Sequence, residues 1–171
     1  MNNNKVNFEG MTMEELEAMA NQNNAEAIME LARRYLFGYG VEHSSEKYFK
    51  LLKRAAELGY LPAQVTLGSE YKYQFKKYED AVKWYKIAAE KGYASAQNCL
   101  ARCYLQGNGV EQNPEEAIRL FKASAEQDNY LACRELYRCF EEGIGVEKDP
   151  QEAAKWNKKA EELKAKSDNG Q

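Results

Sequence analysis

The sequence predicts an all-α solenoid of four helix–turn–helix repeats, closed at its N-terminal end by a capping helix. Three observations carry this reading. The apolar residues are of a helical kind: 22 Ala and 12 Tyr stand against 14 Leu, 6 Val and 4 Ile. Helices favour Ala and Leu, whereas strands favour β-branched residues. The chain also repeats itself, with equivalent Ala residues at 27, 63, 96 and 132, separated by 36, 33 and 36 residues. Finally, the same glycine turn recurs three times at that spacing.

The elements follow in order. Thr12-Met-Glu-Glu15 reads as a capping box opening a helix over 12–22. Ala20 lies 36 residues before Ala56, so this helix occupies the slot of a second (B) helix. Each first (A) helix carries Ala, then Leu four residues on, then an aromatic four later, as in Ala27, Leu31 and Tyr35. Steps of four keep these side chains on one helix face. Three A helices end in Gly38-Tyr-Gly40-Val41, Gly107-Asn-Gly109-Val110 and Gly143-Ile-Gly145-Val146. Glycine just past a helix permits the left-handed C-cap. Asn113-Pro-Glu-Glu116 and Asp149-Pro-Gln-Glu152 then supply an N-cap, a Pro at N1 and a Glu at N3 that closes a box-like cap. Ser44 holds that place in the first repeat, where Lys47 at N3 cannot reciprocate.

The B helices align on Tyr48, Ala81, Ala117 and Ala153, and again on Leu51, Trp84, Leu120 and Trp156. Gly59 and Gly92 end two of them, with Asp128 in the third place. The repeats therefore run over about 23–59, 60–92, 93–128 and 129–163, within a domain spanning 12–163. One such unit cannot bury its apolar face alone; stacked neighbours supply the core. Helix is expected over roughly three quarters of the chain, far above the usual third. The polar ends, 1–11 and 164–171, are expected to be disordered.

The recurring columns resemble Sel1-like repeats, a branch of the tetratricopeptide superfamily with units of about 36 residues. The resemblance covers about 12–163 and is fullest from Ala96 to Asp128. It implies a right-handed α/α superhelix whose members act as adaptors in protein complexes and generally carry no catalytic centre. Repeat 2 departs from the pattern: it is three residues short and has Tyr71-Lys-Tyr-Gln-Phe-Lys-Lys-Tyr78 in place of the glycine turn. The small slot held by Ala32, Gly68 and Ala101 is Tyr137 in repeat 4, which implies wider helix packing there. A secreted subset of the family joins its two helices by disulfides. Here Cys99, Cys103, Cys133 and Cys139 all sit in A helices, so that scheme is absent.

In this superfamily the A helices line a concave groove. The positions off the packing face are Met29, Val65, Asn98 and Arg134, then Arg33, Ser69, Arg102 and Arg138, then Leu36, Lys72, Leu105 and Glu141, with Phe37 and Tyr73 beside them. They describe a partner-binding surface that is apolar at one end and Arg-rich at the other. Arginine binds carboxylates bidentately, so an acidic peptide or protein is the expected ligand. The same arginines could instead pair with intramolecular Glu. Tyr73, Phe75 and Tyr78 form a second candidate patch, or else fill the space left by the missing turn.

Other functions find little support. There are 24 Lys and Arg against 27 Asp and Glu, which argues against a nucleic-acid binder. No apolar run is long enough to span a membrane, and the first ten residues lack the apolar core of a secretory signal. A monomeric cytoplasmic protein with free thiols is expected. His43 is the only His and has no third group to complete a Ser–His arrangement. The Cys spacings do not match those of zinc sites, so no metal, cofactor or catalytic residue is expected. The function read from the sequence is a non-catalytic interaction module. The alternative is an inhibitor or immunity-type protein masking one enzyme or toxin. A more remote one is a Cys-based cofactor or enzymatic role.

Overall fold

A computed structural model describes Phe8 and residues 10–168. Among these residues there are nine α-helices and no strands. They are α1 (Met13–Asn21), α2 (Ala25–Phe37), α3 (Ser45–Glu57), α4 (Leu61–Tyr73), α5 (Tyr78–Glu90), α6 (Ala94–Gln106), α7 (Pro114–Glu126), α8 (Tyr130–Glu142) and α9 (Pro150–Asp168). The A helices are α2, α4, α6 and α8. Most of the N-terminal segment expected to be disordered lies outside the described residues. The Phe8 carbonyl accepts a hydrogen bond from Arg34 Nη2 at 3.1 Å.

Helix α9 runs to Asp168, which corrects the expected disordered tail over 164–168. Leu163-Lys-Ala-Lys166 are strong helix formers with no Gly or Pro among them, and Lys166 in the last turn suits the helix dipole.

The N-caps form as the sequence indicates, with one difference. Thr12 and Glu15 close a reciprocal box. Asn113 Oδ1 accepts from the Glu116 N–H, and Asp149 Oδ1 from the Glu152 N–H. The Glu116 and Glu152 side chains turn forward instead of back. Glu116 takes two bonds from Arg119, at 2.6 and 2.7 Å, and Glu152 takes Lys155 Nζ at 2.8 Å and Trp156 Nε1 at 3.0 Å. The N-cap N–H groups are already spent, that of Asn113 on the Tyr104 carbonyl at 2.9 Å and that of Asp149 on the Phe140 carbonyl at 3.0 Å, so each Glu is left to the cation three residues on.

The chain divides between Leu67 and Gly68, inside α4, into two compact units. In the first, α1 packs on α2 and α2 on α3. Its core includes Leu16, Ala27, Ile28, Leu31, Ala32, Leu52, Ala55 and Leu67, all essentially without solvent contact. Arg54 of α3 reaches the end of α1, where Nη2 donates to the Ala20 carbonyl at 2.7 Å and to Asn23 Oδ1 at 2.9 Å. Asn23 takes a left-handed φ of 61°, which Asn tolerates better than most residues.

In the second unit α5 packs on α6, α6 on α7, α7 on α8 and α8 on α9. Tyr85, Ala101, Cys103, Phe121, Cys133, Leu136 and Cys139 form its core. The second glycine of each turn has a specific task here. A Cβ on Gly109 would collide with the backbone of Tyr78 and Glu79, and one on Gly145 with Pro114. Each turn thus seats directly against the first residues of the preceding B helix. Lys159 repeats what Arg54 does in the first unit: its Nζ donates to the Ala125 carbonyl at 2.6 Å and pairs with Asp128 at 2.9 Å. Repeat 4 is not packed more widely, since α8 and α9 contact each other as extensively as α6 and α7. Tyr137 points outward, 37% exposed, and the register of Tyr85 and Phe121 on the B helix is filled by Asn157, a smaller residue.

Candidate protein-interaction surface

The A-helix positions singled out from sequence fall into three groups. In the first unit, Met29, Leu36 and Val65 are half-buried. Arg33 is exposed and ion-paired with Glu30 at 2.9 Å. Phe37 is exposed and stacks on Tyr39 with ring centroids 5.5 Å apart. In the second unit, Ser69 bonds the Tyr85 hydroxyl at 3.1 Å, while Tyr73 is exposed.

Three expected surface residues are buried: Lys72 (7% exposed), Asn98 (3%) and Leu105 (8%). Solenoid stacking places a helix on either side of an inner one, so side chains just off the packing face are covered by neighbours. The Lys72 ammonium lies 5.3 Å from the Tyr73 ring centroid. Asn98 Oδ1 is buried and accepts no hydrogen bond from the described residues.

The remaining three form a charged cluster on α6 and α8. Glu135 of α8 takes Arg138 Nη2 at 2.9 Å and stands 3.8 Å from Arg102 Nε of α6. Arg134, also exposed, lies over the Tyr130 ring at 5.9 Å. The hydrogen bond that Arg138 donates to Glu135 raises the Arg138 pKa further, and Glu142 adds to its field. Sequence reasoning missed Glu135. Its three-residue spacing to Arg138 was visible, but its bridge to Arg102 depends on how α8 sits against α6.

The aromatic segment of repeat 2 is divided. Tyr73 and Phe75 are exposed, the Phe75 ring is tilted against that of Tyr71 with centroids 6.0 Å apart, and Tyr78 is half-buried at the start of α5. Lys76 takes the left-handed φ, at 56°, that glycine supplies in the other turns.

The reactive side chains form no catalytic arrangement among the described residues. His43 Nε2 is 3.5 Å from Ser45 Oγ, the far limit of a hydrogen bond, and Ser44 Oγ is occupied capping α3. The four cysteines are free. Burial pushes the Cys99 and Cys139 thiols up to about 11, so neither is a ready thiolate at neutral pH. Among the described residues no group of three or more His, Cys, Asp or Glu could hold a metal ion, and no helix is long and apolar enough to cross a membrane.

The Sel1 repeat family model matches residues 25–60, 62–93, 94–129 and 130–164. The chain belongs to the Sel1 repeat family. Its fold is that of the Sel1-like solenoid protein c5321, a protective antigen of uropathogenic Escherichia coli: TM-score 0.84, 35% identity, 89% of this chain and 33% of that one. A Sel1 repeat protein from Oxalobacter formigenes matches with TM-score 0.78 and 32% identity over 86% of this chain and 62% of that one. An immunity protein from Pseudomonas aeruginosa shares the fold with TM-score 0.58 and 21% identity, over 89% of this chain and 72% of that one. The chain spans about a fifth of the length of the first two curated relatives that it matches.

Sel1 repeat proteins mediate protein–protein interactions, and the fold is generally a non-catalytic scaffold. In Sel1 terms, the second turn glycine is the stacking residue, seated on the previous B helix at Gly109 and Gly145. Repeat 2 lacks that glycine and presents its exposed aromatics instead.

Proposed function

We propose that this chain is a non-catalytic protein-interaction module that receives a carboxylate-bearing partner on the A-helix surface of α6 and α8. The observation that carries the reading is the shared carboxylate of Glu135. Two guanidiniums offer five N–H donors each, more than one carboxylate can accept. Arg102, Arg134 and Arg138 are all solvent-accessible. A second carboxylate can join this cluster without stripping the first. The internal pairing also explains how the arginines are held in place without a ligand.

A second reading is an immunity-type protein that masks a folded toxin or enzyme. The immunity protein of the same fold supports it at the level of architecture alone.

Both readings meet one experiment: affinity purification from the native host with the unaltered chain and with the Arg102→Glu/Arg138→Glu variant. The partner is expected to co-purify with the first and to be lost, at least tenfold, with the second, as two charge-assisted contacts are reversed. A partner retained at full affinity would overturn the α6–α8 surface. Proteolytic trimming of the captured partner then separates the readings: a short retained fragment means a peptide ligand, and binding lost on any trimming means a folded one.

A further inference from the structure

One column of the repeat is inverted in charge at a single place. The third and sixth residues of the B helices of repeats 2, 3 and 4 are an acid and a base that meet. Asp80 and Lys83 are 3.0 Å apart, Glu116 and Arg119 2.6 Å, and Glu152 and Lys155 2.8 Å. In repeat 1 the same two positions are Lys47 and Lys50. Neither makes an ion pair with a described residue, and both are exposed. This arrangement opposes local physics twice. Like charges three residues apart repel, and a cation in the first turn opposes the helix dipole. Conflicts of this kind concentrate where function demands them.

The surroundings give the inversion a use. Lys47 and Lys50 line a cleft of about 300 Å³ within the first unit, between α1, α2 and α3, with Tyr35, Leu51, Arg54 and Glu17 among its walls. The Lys47 ammonium sits 4.8 Å from the Tyr35 ring centroid, which holds it over the opening. Arg54 is already committed to the end of α1, so the two lysines are the cations with donors to spare. Glu17 is the one carboxylate lining the cleft among the described residues. The equivalent cleft of repeat 3, about 460 Å³, is lined by Lys86, Glu90, Glu116 and Arg119, and its acid and base close on each other. The same groove is thus built twice, self-neutralised in one repeat and left basic in the other.

We infer that the repeat 1 cleft is a second binding site, which takes an acidic peptide segment, with a carboxylate on Lys47 and Lys50 and the flanking chain against Tyr35 and Leu51. This site lies in the first unit and is independent of the α6–α8 surface.

Titration of the ¹⁵N-labelled protein with a hexaglutamate peptide tests it. Amide shifts are expected at Tyr35, Lys47, Lys50 and Leu51. The decisive variant is Lys47→Glu, which writes into repeat 1 the pattern of the other three. It is expected to weaken hexaglutamate binding about tenfold or more while raising the melting temperature, because it removes the repulsion. Lys50→Gln is the second variant, expected to weaken binding without altering the cap. Arg102→Glu/Arg138→Glu is expected to leave the cleft shifts intact, so this site and the α6–α8 surface fail separately. Shifts confined to other lysines, unchanged affinity in both lysine variants, or a lower melting temperature for Lys47→Glu would overturn the inference.

Discussion

Tyr85 packs directly against α4 at Gly68: a Cβ placed there would stand 2.6 Å from Cε1 and 2.9 Å from Cδ1 of the ring. The ring is 1% exposed and its hydroxyl bonds Ser69 Oγ. In the register of the other repeats the pairs are Ala32 with Leu52, Ala101 with Phe121 and Tyr137 with Asn157. Size on the A helix is traded against size on the B helix.

Gly68→Ala is therefore expected to destabilise the protein. Alanine gains up to about 1 kcal/mol of helix propensity over glycine. Overpacking against a fully buried ring costs about 1–3 kcal/mol, so the collision wins. The double variant Gly68→Ala/Tyr85→Leu, which copies Ala32 and Leu52, is expected to recover part of the loss. Urea unfolding of the two single variants and the double gives the coupling. A more stable Gly68→Ala protein would show that the ring moves aside freely.

Arg54 ties the capping helix to the first repeat through the Ala20 carbonyl and Asn23. Hydrogen bonds from charged groups contribute about 1.5–3 kcal/mol. Arg54→Met keeps the aliphatic stem and removes the donors. Amide exchange in α1 is expected to accelerate sharply while α6 and α7 stay protected. Uniform acceleration across all helices would mean that α1 does not open on its own.

Lys159 holds the Asp128 carboxyl below its usual range, first by its hydrogen bond and then by its charge. A depressed folded-state pKa makes a contribution that is complete above the unfolded Asp value, about 4. It is lost as the pH falls through the folded value. Asp128 is well exposed, so the effect on stability is small and salt-sensitive. Carboxyl ¹³C titration is expected to place the Asp128 midpoint below the ordinary range, and Lys159→Met to move it upward. An unmoved midpoint would remove Lys159 as the cause.

Legibility differed by element. The caps at Thr12, Ser44, Asn113 and Asp149 were readable because capping is local and uses fixed residue types. The forward turn of Glu116 and Glu152 was not, although Arg119 and Lys155 were in plain view; the N-cap N–H groups are taken by the Tyr104 and Phe140 carbonyls, which depends on how each turn folds back on its A helix. The candidate surface was read in register but not in depth. Arg102, Arg134 and Arg138 are accessible, whereas Lys72, Asn98 and Leu105 are covered by neighbouring helices.

By itself, the sequence determined the helices, their order and the repeat. Periodicity, caps and glycine turns act within a few residues, and a column repeated four times averages out local ambiguity. Only the tertiary structure decided which cations are already spent. Glu135 shared between two helices, Arg54 clamped on α1 and Lys47 left open over Tyr35 depend on distances between different helices. Charge counted along a chain says nothing about those distances, and across a few ångströms they decide whether a cation is paired or available.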